Sequence, residues 1–164
     1  MTIRHCKIAL VAAVAFFLLL VVFNNLTDYG SNYGFVEHVL SMDTTFEGNQ
    51  GMWRAITSPV LHHAFYWSII AWELVAGVMI AAGAWSMWSR RSAEQSVFTA
   101  AKRLAVLGLT LNLLQWFVAF LTVGAEWFLM WQSSIWNGQD AAFRMFACVG
   151  IILLFVNAAE GDAD

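Results

Sequence analysis

Charge is what this sequence has least of: 8 Lys and Arg with 11 Asp and Glu make up 12% of 164 residues, against 60% hydrophobic. A soluble globule of that size needs more polar side chains to coat its surface, so water is excluded as the main solvent. The few basic residues form no stripe, which excludes a nucleic-acid partner. With two cysteines, Cys6 and Cys148, no disulfide framework is implied, and the topology derived below keeps the pair apart. Of the four histidines, His5, His38, His62 and His63, none falls at the core of an apolar stretch, which argues against haem held by two histidines in a bilayer. Phosphate-cradling loops, internal repeats and low-complexity tracts are missing too. No nucleophile, base and orienter can be assembled, so the chain is expected to be no enzyme and to hold no cofactor or metal.

What is present is concentrated in four apolar blocks, residues 8–23, 64–88, 104–123 and 141–156. A hydrocarbon core of about 30 Å needs roughly 20 helical residues. The second and third blocks reach that length outright, and the others reach it with their flanks, helped by snorkelling of Lys7. The expected fold is an all-α membrane protein: a four-transmembrane-helix bundle with a structured outer loop containing a short amphipathic helix. It forms one domain over 1–164, with spans near 4–26, 60–88, 102–123 and 140–159 and an outer loop near 27–58. The basic start at Arg4, His5 and Lys7 also suits a signal peptide. However, the following NNLTDYG lacks the small-x-small cleavage pattern, so an uncleaved first span is expected.

Lys and Arg in short loops are retained on the cytoplasmic side. Arg4 and Lys7 precede the first span, and Arg90, Arg91, Lys102 and Arg103 lie between the second and third. Both termini are then cytoplasmic in a bacterial inner membrane, and the first outer loop carries Asp28, Glu37, Asp43 and Glu47 against Arg54. The acidic tail of Glu160, Asp162 and Asp164 does not alter this, because acids contribute little to the bias.

A structureless outer loop of that length is uncommon. In FVEHVLSM, Phe35, Val36, Val39 and Leu40 recur at helical spacing, which predicts an amphipathic helix over residues 34–42 on the outer surface or folded over the bundle. Ser58 followed by Pro59 reads as a helix start, and Ser92 with Gln95 has capping-box spacing. Trp127, Trp131, Ile135 and Trp136 suit a segment at headgroup level, as do Trp85 and Trp88 at the other end. Gly77 and Ala81 form a weak small-x-x-x-small pair for close helix approach.

Polar residues at membrane depth are the informative ones, since charge in hydrocarbon is costly unless paired, protonated or hydrated. Glu73 lies about 13 Å and Gln115 about 12 Å below the outer ends of their spans, and Arg144 about 5 Å into the fourth. An intramembrane polar layer of Glu73, Gln115 and Arg144 is expected, with a Glu73 to Arg144 contact completed by Gln115. Three roles stay open: polar glue fixing helix register, part of a proton or ion path, or a protonated Glu73 facing a partner protein. Below Glu73 the run LVAGVMIAAGAW offers nothing to carry a proton onward. His62 and His63 point about 100° apart on one helix, which disfavours one metal bound by both. His38 with either of them is the remaining outer-surface option.

The run from Asn24 to Phe46, then Trp53 to Ile56, Pro59, His62, His63 and Ala71 to Glu73, resembles a bacterial family described as predicted small integral membrane proteins of unknown function. The likeness covers nearly the whole chain and implies four spans in an inner membrane. It implies no activity and no site residues. Two functions follow from the residues. The first is a non-enzymatic protein that docks another membrane or periplasmic protein, through Phe35, His38, Asp43, Phe46, Trp53, Arg54, His62 and His63. It would serve as accessory subunit of a membrane complex or as immunity protein against a membrane-acting toxin. The second is a small transport or quinone/redox module using the Glu73, Gln115 and Arg144 layer.

Overall fold

Residues 3–160 are described in the computed structural model, so Asp162 and Asp164 of the acidic tail lie outside the described residues. The order is α1 (Ile3–Thr27), α2 (Tyr29–Ser41), α3 (Pro59–Ser89), α4 (Gln95–Ala101), α5 (Arg103–Leu114), a π-helix (Gln115–Trp127) and α6 (Gln139–Asn157), with no strand among the described residues. Helix α4, helix α5 and the π-helix run on as one rod. Four helices are long and apolar enough to cross a membrane: Ile3–Thr27, Pro59–Ser89, Gln95–Trp127 and Gln139–Asn157.

Helix α1 illustrates how the sequence builds these rods. Its buried positions Val11, Val14, Ala15, Leu18, Val22 and Asn25 recur every three or four residues and form one stripe. The other side shows Phe16 and Phe23 at 70% and 59% exposure, an apolar surface suited to lipid rather than water. Helix α3 packs between α1 and α5, while α6 rests on α5 and the π-helix and touches α1 only lightly.

Two glycines set the α3–α5 spacing. A Cβ on Gly83 would stand 2.3 Å from the Ala105 backbone nitrogen, and one on Gly108 2.9 Å from the Ile80 nitrogen. Gly77 faces α1 instead, where a Cβ would meet Leu19 at 3.0 Å.

One end of the bundle is capped. Helix α2 begins five residues before the expected residue 34 and buries Val36, Val39 and Leu40 against Tyr66, Ile70, Phe128 and Met130. The loop after it is stitched down: the Ile56 amide donates to Leu40 O at 2.8 Å, and the Phe46 amide to Gln132 Oε1 at 3.2 Å. Pro59 does open α3, but the Ser58 hydroxyl makes no capping bond. At the other end Glu94, not Ser92, precedes α4, because the chain at 90–93 turns to offer the Arg91 and Ala93 carbonyls to the Arg4 guanidinium, at 3.0 and 2.6 Å. Nearby, Glu160 Oε1 accepts from Lys7 Nζ at 2.7 Å and also from Lys102 Nζ, and Lys7 donates to Ala158 O as well.

Candidate functional site

On α3, Glu73 falls between two apolar clusters, with Ile70 in the one under the cap and Ala76 in the one filling the opposite half. Its carboxyl is 3% exposed and accepts two bonds, from Asn25 Nδ2 at 2.8 Å and from Gln115 Nε2 at 3.1 Å. Asn25 Oδ1 in turn accepts from Asn32 Nδ2 at 2.7 Å, so a side-chain chain runs from Glu73 to the exposed start of α2. Both donors to Glu73 are neutral amides.

Arg144 does not join them, which corrects the expected layer. It is exposed and makes no hydrogen bond or ion pair among the described residues. Depth had placed it near Glu73, but direction decides. The buried stripe of α6 is Ala142, Val149 and Val156, and a residue two beyond Ala142 points about 200° round the helix, away from the bundle. Asn25 takes its place, contributed by an α1 that extends past its apolar stretch.

Two cavities meet at this cluster. An apolar one of about 260 Å³ lies under Val36, Val39 and Leu40 of the cap, between α3 and the π-helix. Exposed Phe65, Trp72, Leu114 and Val118 form its rim, so it opens sideways between those helices. Gln115 is one of only two polar residues in its wall. The second, of about 250 Å³, is lined by Asn25, Asn32 and Glu73 together with Phe35, Tyr66, Trp116 and Phe120. Phe35, Val36, Ile69 and Phe120 belong to both. Gln115 Oε1, on a residue that lines the first, and Trp116 Nε1, on a residue that lines the second, are buried without a hydrogen-bond partner, as are both amide atoms of Asn112 one turn below Gln115. Buried polar atoms are normally paired, so each such group calls for a reason.

The π-helix shapes this region. Its i→i−5 bonding is echoed by Thr122 Oγ1, which donates to Phe117 O at 2.9 Å, and by the Phe128 amide, which donates to Val123 O at 3.0 Å. Wide helical turns of this kind cluster at functional sites, though usually as single turns.

The eight residues expected on one docking surface have separate roles. His62 is buried, and its Nε2 donates to Ile56 O at 2.7 Å, which fixes the proton on that nitrogen. It therefore leaves the surface, one helical position from exposed His63, whose Nδ1 is hydrogen-bonded to Tyr29 OH at 2.8 Å. His38 Nδ1 donates to Asp43 Oδ2 at 2.7 Å and its ring stacks on Trp136. With separate partners, the three histidines do not converge on one point. Phe35 turns inward to the cavities. Arg54 sits over the Trp53 and Trp127 rings. Phe46 and Trp53 remain outward, 58% and 73% exposed.

A family model described as predicted small integral membrane protein (DUF2165) matches residues 3–159. No curated protein and no solved structure matches the chain.

Proposed function

Because the chain belongs to that family of small integral membrane proteins, a description that carries no activity, we propose that it binds a small amphiphilic molecule drawn sideways from the bilayer. The apolar part of the ligand occupies the cavity between α3 and the π-helix, and its polar head reaches the Glu73, Asn25 and Gln115 cluster. One observation carries this reading: an apolar chamber that opens between membrane-crossing helices has Gln115, with its buried and unpartnered Oε1, in its wall, and shares lining residues with a second cavity that holds Glu73 and the unpartnered Trp116 Nε1. Pockets for such ligands combine apolar walls with a few convergent polar groups. The positive-inside distribution of Arg4, Lys7, Arg90, Arg91, Lys102 and Arg103 supports a periplasmic cap and cytoplasmic termini in an inner membrane.

The test is photolabelling with a diazirine-bearing fatty alcohol in membranes, followed by peptide mapping. Labels on Phe65, Trp72 and Leu114 are expected, and Ser68→Trp, which plugs the mouth, suppresses them. Labelling spread evenly over all lipid-facing residues and indifferent to Ser68→Trp overturns the proposal.

A second reading, docking of another membrane or periplasmic protein, draws support from exposed Phe46 and Trp53 at the capped end. Mild-detergent pulldown with Phe46→Ser and Trp53→Ser tests it. Loss of a specific partner is its expected result, and isolation as a lone species counts against it.

A further inference from the structure

The second cavity narrows the chemistry of the head, an inference that rests on the ligand-binding reading above. Four aromatic side chains, Phe35, Tyr66, Trp116 and Phe120, wall the space that the Glu73 carboxyl also lines. The Trp116 and Phe120 ring centroids are 4.8 Å apart, and those of Phe35 and Phe120 6.3 Å. No Lys, Arg or His lines this cavity or its apolar neighbour.

A buried carboxylate in a membrane helix must be neutralised by a proton, a resident cation or a visiting one. Among the described residues no cationic side chain pairs with Glu73, whose partners are the amides of Asn25 and Gln115. The faces of aromatic rings carry the negative part of their quadrupole, so the walls reinforce the attraction of the carboxylate for positive charge. Phosphate and carboxylate heads meet the opposite: a like charge at Glu73 and no cationic side chain to hold them.

We infer that the chamber takes an organic ammonium cation on an apolar body, its charged head beside Glu73 among the four rings and its apolar part in the adjoining cavity. Gln115 Oε1, buried and unpartnered, accepts a hydrogen bond where the ammonium carries an N–H. A quaternary head relies on the carboxylate and the rings. Two sources supply this chemistry, an amine-headed membrane lipid or a free lipophilic amine.

The experiment uses the full chain in dodecyl maltoside and measures equilibrium binding of decylamine, decyltrimethylammonium and decanol. Both cations are expected to bind more tightly than decanol. Glu73→Gln is expected to weaken the cations by about tenfold or more and to change decanol far less, since an alcohol head loses one hydrogen-bond partner and no charge. Trp116→Leu and Phe120→Leu, which keep Glu73, also weaken decyltrimethylammonium, and they carry the test if Glu73→Gln fails to fold. Decanol binding as tightly as the cations, with Glu73→Gln altering neither, overturns the cation and leaves the ligand-binding reading standing. Absence of binding by all three probes overturns both. Displacement of labelled decylamine by phosphatidylethanolamine but not phosphatidylglycerol identifies the lipid source, and displacement by neither identifies the free amine.

Discussion

A carboxyl group held among membrane helices is kept in place by what donates to it. Asn25 and Gln115 each supply one bond to Glu73, and interhelical polar contacts in membranes contribute about 1 kcal/mol apiece. Asn25→Ala and Gln115→Ala should each lower stability by about that amount, read from the midpoint of helix loss in SDS titration of mixed micelles. Unchanged midpoints in both variants would remove the cluster from the list of stabilising contacts. Glu160 offers a second residue-scale test. Burial alone pushes its pKa up, but the Lys102 and Lys7 ammonium groups outweigh that and hold it below its ordinary 4.5. Its contribution to stability is therefore complete above about pH 4.5 and is lost as pH falls through the lower folded value. Glu160→Gln should flatten the acid limb of the thermal-midpoint profile, and parallel profiles would contradict the assignment. Depth along each span, counted from sequence, placed Glu73 level with Gln115. It could not place Arg144, because rise says nothing of direction until the buried stripe of α6 is known. Asn25 gives no depth signal because it stands where the apolar run stops, and in sequence Glu160 is indistinguishable from the other tail acids.

At the scale of elements, the α3–α5 crossing depends on missing side chains. Gly83→Val and Gly108→Val push branched side chains into the Ala105 and Ile80 backbones and should cost about 1–3 kcal/mol each, seen as earlier thermal aggregation in detergent. Gly30→Ala, which meets nothing within 4 Å, is the matched control. Variants at Gly83 and Gly108 as stable as that control would show that the crossing tolerates wider spacing. The sequence points to Gly77 for close approach without naming the partner, and the helix that comes close there is α1, at Leu19; Gly83 gives no separate signal, since small residues are too common in α3 for spacing alone to select the contact. The π-helix left no mark that periodicity could detect: a 3.6-residue pattern and the wider repeat diverge only over several turns, and QWFVAFLTVGAEW is apolar nearly throughout. Helix α2 is readable as amphipathic, yet its first five residues, Tyr29 to Tyr33, carry no apolar aliphatic side chain, and they are held by ring packing on His63 and Tyr66 and by the Asn32 to Asn25 hydrogen bond.

For the whole molecule, four long apolar helices were legible because twenty-residue apolar stretches have few alternative uses. Sidedness is a separate matter, and reporter fusions decide it. Alkaline phosphatase inserted at Gly48 should be active and at Ser92 inactive, with the reverse pattern for a fluorescent protein that matures only in the cytoplasm. The opposite result would invert the proposed orientation. The cavities escaped sequence reading, since they arise from three helices and the cap meeting imperfectly rather than from any one segment. Among neighbouring long helices, α1 and α6 touch least, and Glu160 with Lys7 fastens that seam at the end away from the cap. Toward the cap, Val21 of α1 and Ala141 of α6 both line the aromatic-walled cavity. A pair of rods riveted at one corner and barely touching elsewhere parts most easily at the other, like shears. Any parting of these two rods at that end would widen the room around Glu73 while the Lys7–Glu160 corner stays shut.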